Sequence, residues 1–216
     1  MNLFPNLPAA LSPATIGNTR LSPEQAAQRG AGKSAFAKDA LNRYDTIDPR
    51  AVAALLPHLA PRTRFIEPCA GKGDLVRQLQ AAGHLCVSAF DIAPRAEGIG
   101  TVDAATWANT AQSRDAIIIT NPPFDWAMLH PLLENWRDQV LISWLLLPAA
   151  FMHTHSNGRG EVIQRTRKIV SIGRLKWVIP SDNDDTKDYC WYQIGSTPAP
   201  GNTPAFHGRA WQKVQP

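Results

Sequence analysis

Residues 65–74 read Phe65-Ile66-Glu67-Pro68-Cys69-Ala70-Gly71-Lys72-Gly73-Asp74, and their reading decides the fold. The apolar approach Arg64–Ile66 predicts a short strand. The stripe Leu75, Val76 and Leu79 within 74–82 predicts a helix, which Gly83 ends. A glycine turn between strand and helix lets the backbone bend tightly and approach a ligand closely. Leu85–Phe90 predicts the next strand, and Asp91 stands just past it, 18 residues after Gly73. A carboxylate there suits hydrogen bonds from two ribose hydroxyls. A glycine-rich connector with no ligand is the plainer alternative.

The alternation continues outward. Residues 49–60 predict a short helix and 104–112 another. Residues 116–120 (AIIIT) predict a buried strand, 124–136 a helix after a Pro-Pro turn, and 140–147 a second strand, apolar but for Ser143. Residues 168–180 and 189–194 predict further strands. Strands alternating with helices, with apolar runs in the middle, imply an α/β domain with a mostly parallel sheet. We expect a flexible N-terminal arm over 1–35, a catalytic domain over 36–195 and a C-terminal tail over 196–216. Four prolines fall in 1–25 and four in 195–216, which suits loop-rich ends.

Two phosphate-binding patterns fail on detail. The dinucleotide pattern G-x-G-x-x-G needs glycine where Val76 stands. Gly32-Lys33-Ser34 ends like a P-loop, but residue 27 is alanine and no strand precedes it.

Composition bounds the rest. The chain has 216 residues, 44% hydrophobic, enough for one ordinary domain with a real core. Its formal charge of +4 is mild. Three cysteines without CxxC spacing argue against a disulfide scaffold and against a cysteine zinc site, so a reducing cytoplasm is the expected home and no metal is expected. The longest apolar run, 141–151, has 11 residues, whereas a membrane span needs about 20. No signal peptide is visible, and no membrane association is expected.

A second site follows the strand AIIIT: Asn121-Pro122-Pro123-Phe124. Ligands of open α/β sheets bind beyond the carboxyl ends of strands, so Gly71, Gly73 and Asn121 can face one crevice. The Asn121 side-chain oxygen and the Pro122 carbonyl are two acceptors. They could grip the two hydrogens of an exocyclic NH2 group and favour its attack on a methyl group. Pro122 and Pro123 fix φ and hold the acceptors rigidly. Phe124 offers a flat face on which a base can stack. The other reading is an ordinary turn with Phe124 as a core anchor.

With both sites in register, 48 residues from Gly73 to Asn121, the sequence resembles class I S-adenosylmethionine-dependent methyltransferases. More narrowly, it resembles compact phage-type DNA N6-adenine methyltransferases with an NPPF or NPPY motif. The resemblance covers roughly residues 40–195. It implies a Rossmann-like class I methyltransferase fold, a mostly parallel sheet with helices on both faces and a late antiparallel strand. It implies S-adenosyl-L-methionine as cofactor. Tyr44 and Thr46 then lie in the upstream motif that contacts the methionine end, although Ile47 replaces the usual proline. Glu67, Pro68, Ala70, Gly71 and Gly73 match the cofactor turn, and Asp91 with Ile92 the ribose-binding position. Asp103 matches the acid that meets the cofactor adenine, and Asn121 also borders the cofactor. Asn121, Pro122, Pro123 and Phe124 match the catalytic motif. Residues 188–191 resemble the late strand.

The activity implied is methylation of the N6 amino group of adenine in double-stranded DNA, with the adenine flipped out, in a bacterial or phage-infected cell. The motif equally admits adenine in RNA or a glutamine amide in protein. A non-catalytic cofactor- or nucleic-acid-binding module is the rival from another class. No separate target-recognition domain is evident. Specificity then rests on loops, on the tails or on a second copy of the chain in a homodimer. Residues 156–177 hold six basic residues against Glu161, among them Arg159, Arg165, Arg167 and Lys168, which we expect to contact phosphates. A solvated helix face is the alternative.

Overall fold

The apolar runs become strands buried on both faces. The computed structural model describes residues 44–153, 159–177, 184–201 and 204–209, all in the unit Ala37–Pro216. Strand β1 (Arg64–Glu67) sends Phe65 to one face of the sheet and Ile66 to the other, both fully buried. Strand β2 is Leu85–Asp91, and β3 is only Gly100–Thr101. In β4 (Ile117–Thr120), Ile118 and Ile119 split in the same way. In β5 (Ile142–Pro148), Trp144 and Leu146 face one layer, Leu145 and Leu147 the other. Three further strands follow: β6 (Thr166–Arg174), β7 (Asp188–Gly195) and β8 (Ala205–His207).

The sheet order is β3-β2-β1-β4-β5-β7-β6-β8. Strand β7 runs antiparallel to both neighbours, and the other pairings are parallel. The chain begins at the centre, winds out to β3, then returns to place β4 beside β1. That reversal opens a crevice beyond the ends of β1 and β4.

Helices cover both faces. Helices α1 (Pro49–Leu55) and α2 (Asp74–Ala81) bury Val52, Leu55, Leu75 and Leu79 against Phe65, Ile119 and Trp144. Helices α3 (Trp126–Gln139) and α4 (Arg159–Arg165) bury Leu129, Leu133, Trp136 and Val162 against Ile66, Ile118 and Leu145. Asp48 caps α1 by accepting the Arg50 amide at 3.0 Å. It also accepts the Lys176 amide at 2.9 Å, which ties the segment after β6 to α1.

Several expectations are corrected. Residues 104–112 form no α-helix; they hold turns and part of a 3-10 turn, Ala111–Ser113. The Ala104 carbonyl is taken instead by Trp136 Nε1 and Asn135 Nδ2 of α3, and the Trp107 carbonyl also by Asn135. Asn109, Thr110 and Ser113 satisfy one another locally, the usual way such side chains compete with a helix. Within the expected tail, residues 205–207 add β8 to β6 in register Lys168↔Ala205. The expected arm 1–35 and residues 32–34 lie outside the described residues, as do 154–158. No described helix is long and apolar enough to cross a membrane.

Candidate functional site

The crevice between β1 and β4 holds a cavity of about 260 Å³. The glycine turn forms its floor. Gly71 and Gly73 adopt φ of 52° and 76°, which glycine takes without strain, and Gly73 turns directly into α2. The Asp91 carboxylate holds the turn: Oδ2 accepts the Gly71 amide at 2.9 Å and Oδ1 the Ala93 amide at 2.8 Å. Each oxygen keeps a second lone pair for a ligand hydroxyl.

Glu67, at the end of β1, is buried on the cavity wall. Its Oε1 accepts Thr120 Oγ1 at 2.5 Å and the Cys69 amide at 3.1 Å, while Oε2 is buried without a partner. Burial pushes its pKa up to about 8, with Asp91 adding to the rise against the two hydrogen bonds. Burial likewise pushes up the Cys69 thiol, reinforced by the charges of Glu67 and Asp91.

Asn121 follows β4. Its Nδ2 donates to the Tyr44 carbonyl at 2.7 Å. Its Oδ1 is buried without a partner, and the residue lines the cavity. The amide is therefore oriented by a contact with a residue 77 positions away. Pro122 and Pro123 line the cavity beside it.

Most of the expected site residues meet here. Tyr44, Thr46, Glu67, Pro68, Ala70, Gly71, Asp91, Ile92, Asp103, Asn121, Pro122 and Pro123 share the wall. Asp103 accepts the Ala105 amide at 2.9 Å, and Ile92 is 60% exposed at the mouth. Two expected residues are not on the wall. Gly73 lies beneath it as the left-handed residue that starts α2. Phe124 sits within an aromatic cluster of Tyr44, Trp177 and Tyr189. Behind that cluster, Asp185 Oδ2 accepts Trp177 Nε1 at 3.1 Å and Tyr189 Oη at 2.5 Å. Burial opposes its charge, but these hydrogen bonds and the Thr186 amide hold its carboxyl below the usual range.

The sequence reading missed an ionic group at the rim. Arg95 pairs with Asp45 at 2.5 Å, and its amide donates to the Gly71 carbonyl at 3.0 Å. Lys72 Nζ lies 3.5 Å from the same Asp45. Lys72 and Arg95 stand 27 and 50 positions from Asp45 in sequence, too far for any local pattern. Met128, Pro131 and Leu132 of α3 also reach the wall.

The basic stretch is dispersed rather than gathered at the site. Arg165 is buried, its Nη2 3.5 Å from Glu134 Oε1, which corrects its expected place on phosphates. Arg167 has a buried Nε, and its Nη2 donates to Thr197 at 3.3 Å. Both flank Thr166, which is in register with Ile194 and through it with Ser143, near the start of β5. That is the end of the sheet away from the crevice. Lys168 lies on β6 beside β8. The side chain of Arg159 lies outside the described residues.

Neither a family model nor a curated protein sequence matches the chain. Solved structures do. The methyltransferase subunit of a type I restriction–modification system from Streptococcus thermophilus matches with a TM-score of 0.51 at 10% identity, over 74% of this chain and 46% of that one. The 23S rRNA methyltransferase ErmE matches with a TM-score of 0.46 at 14% identity, over 69% and 68%. The M protein of the type I restriction enzyme EcoKI matches with a TM-score of 0.43 at 11% identity, over 76% and 47%. This chain thus spans less than half of either restriction–modification subunit. At these identities the likeness is one of fold. Among the described residues, the sheet order, the reversed strand β7 and the helices on both faces define a Rossmann-like α/β fold of the class I methyltransferase type.

Proposed function

We propose that this chain is an S-adenosylmethionine-dependent methyltransferase acting on the N6 amino group of adenine in DNA. One observation carries the reading: Asn121 Oδ1 is a buried, unpartnered acceptor on the cavity wall, fixed there because Nδ2 is tied to Tyr44. An unpaired acceptor in a buried site costs stability unless a ligand uses it. A planar NH2 group supplies the missing donor.

The donor set fits the cofactor. Asp91 can accept ribose hydroxyls. The unpartnered Glu67 Oε2 suits a cationic group, and the turn at Gly71 leaves the backbone open to close approach. Asp103 and Ile92 would border the adenine, and Thr46 the methionine end. When bound, S-adenosylmethionine supplies a methyl group on a positively charged sulfur, and the bond to sulfur breaks as the bond to nitrogen forms.

The residues of the chain then do three things. Asn121 Oδ1 and the Pro122 carbonyl accept the two N–H bonds of the amine and stabilise the positive charge growing on its nitrogen. Pro122 and Pro123 restrict the backbone, so the acceptors need little reorganisation. The surplus proton leaves to solvent after transfer, so the attack needs no strong general base.

Replacing Asn121 with Ala tests this. Methyl transfer from labelled cofactor to DNA should fall by about 10²–10³-fold or more, with cofactor affinity nearly unchanged. Wild-type rates in that variant refute the mechanism. Running RNA and protein fractions beside DNA separates adenine in RNA and glutamine amides from the substrate proposed.

A further inference from the structure

Phe124 is the ring on which a flipped base would stack, yet it is absent from the cavity wall. The Tyr44 ring covers it, with centroids 5.5 Å apart and planes inclined by only 15°. Its other aromatic neighbours meet it at steeper angles, Trp177 at 63° and Tyr189 at 41°. Those two are anchored: both are buried, and both donate to Asp185. Tyr44 is half-buried and itself lines the cavity. Of the three, Tyr44 alone lies parallel to Phe124 and also borders the space a ligand enters.

We propose that Tyr44 and Phe124 are the two walls of one base-binding slot, closed ring on ring in the free protein and spread by one ring thickness to take a planar purine between them. The inference rests on the reading above. Its energetics are simple. Opening loses the stack on Phe124 and loosens the tilted contact of Tyr44 with Trp177 (centroids 5.4 Å), and an inserted base restores two stacked faces, so the exchange favours the bound state. Closing the empty slot keeps water off one face of Phe124. Rotation about the side-chain torsions of Tyr44 opens the slot without moving its carbonyl, so Asn121 keeps its orientation. Asn121 donates to the Tyr44 carbonyl at 2.7 Å, which sets its acceptor beside the slot. Tyr44 thus acts twice, as a wall through its ring and as a positioning residue through its backbone.

The test is steady-state methyl transfer from labelled S-adenosylmethionine onto plasmid DNA free of adenine methylation. Tyr44→Ala keeps the carbonyl that holds Asn121 and removes the wall. KM for DNA should rise about tenfold, kcat should fall less, and cofactor Kd should rise by clearly less than KM. Tyr44→Phe, which keeps the ring, should bring KM back to within about threefold of wild type. Should Tyr44→Ala not fold, Tyr44→Leu keeps apolar volume without a flat face and carries the same test. An unchanged or lower KM in either variant overturns the slot, because the ring would then be a bystander or an obstacle. Loss of cofactor binding in step with KM overturns it as well. Wild-type protein that transfers nothing to DNA overturns the functional reading together with the slot. Wild-type activity with an unchanged variant KM overturns the slot alone.

Discussion

Glu67→Gln should remove an alkaline loss of stability that the wild-type fold suffers between about pH 5 and 9. The wild-type carboxyl has an unfolded value of 4.5 and is pushed up to about 8 in the folded protein, chiefly by burial. A raised folded pKa means that the native state holds its proton more tightly than the unfolded chain. The associated stability is therefore complete below pH 4.5 and is lost as pH climbs through 8. At 1.36 kcal/mol per unit, the loss reaches at most about 5 kcal/mol at pH 9. Glutamine can still accept from Thr120 and the Cys69 amide through its oxygen, and it places a neutral nitrogen where Oε2 has no partner. Thermal melts from pH 5 to 9 should show the variant rising above wild type by on the order of 10 °C at the alkaline end. At pH 5 the two should nearly coincide. The window stops at about 5 because Asp48 and Asp185, whose carboxyls are held below the usual range, begin to cost stability in more acid solution. Cofactor affinity carries the same signature. A cationic group beside Oε2 favours the ionised carboxylate, so wild-type Kd should fall as pH approaches 8, and Kd of the variant should not. Parallel melting curves for the two proteins would refute the reasoning.

Two further outcomes follow from the geometry. In Gly71→Ala, the added methyl would sit 2.9 Å from Arg95 Nη2 and 3.0 Å from Asp45 Oδ1, at a φ of 52°. The ion pair must shift and the backbone is strained by about 1–2 kcal/mol. Calorimetry should show cofactor affinity lowered by about tenfold, with a fall in Tm of a few degrees, and unchanged affinity would detach this rim from the ligand. Arg165→Met should alter stability while leaving KM for DNA and its salt dependence within about twofold, because the guanidinium is buried against Glu134 rather than exposed to phosphates. A tenfold rise in KM would return Arg165 to the interface.

Much of the fold was legible because its signals are local. The runs 116–120 and 140–147 are apolar on both alternate sets of positions except at Thr120 and Ser143, as a short strand covered on both faces requires. Gly83 closes α2 at a φ of 88° where the helical stripe stops. Residues 104–112 misled because their periodicity was sound, whereas their carbonyls were claimed by Asn135 and Trp136 from another element. Strand β8 carries no signal of its own; three residues become a strand only because β6 offers an unpaired edge.

The candidate site divides in the same way. Chain order determined the motifs, their spacing and their position at strand ends, since glycine turns, prolines and apolar runs act through backbone sterics and solvent exclusion within a few residues. Tertiary structure decided orientation and charge. Which atom of Asn121 faces the cavity depends on the carbonyl of Tyr44, and the proton affinity of Glu67 depends on the strands that remove water from it. Arg165 reads as a surface cation in sequence and becomes a buried partner of Glu134. Hydrogen-bond direction, desolvation and pairing are set by neighbours distant along the chain, and only folding brings those neighbours together.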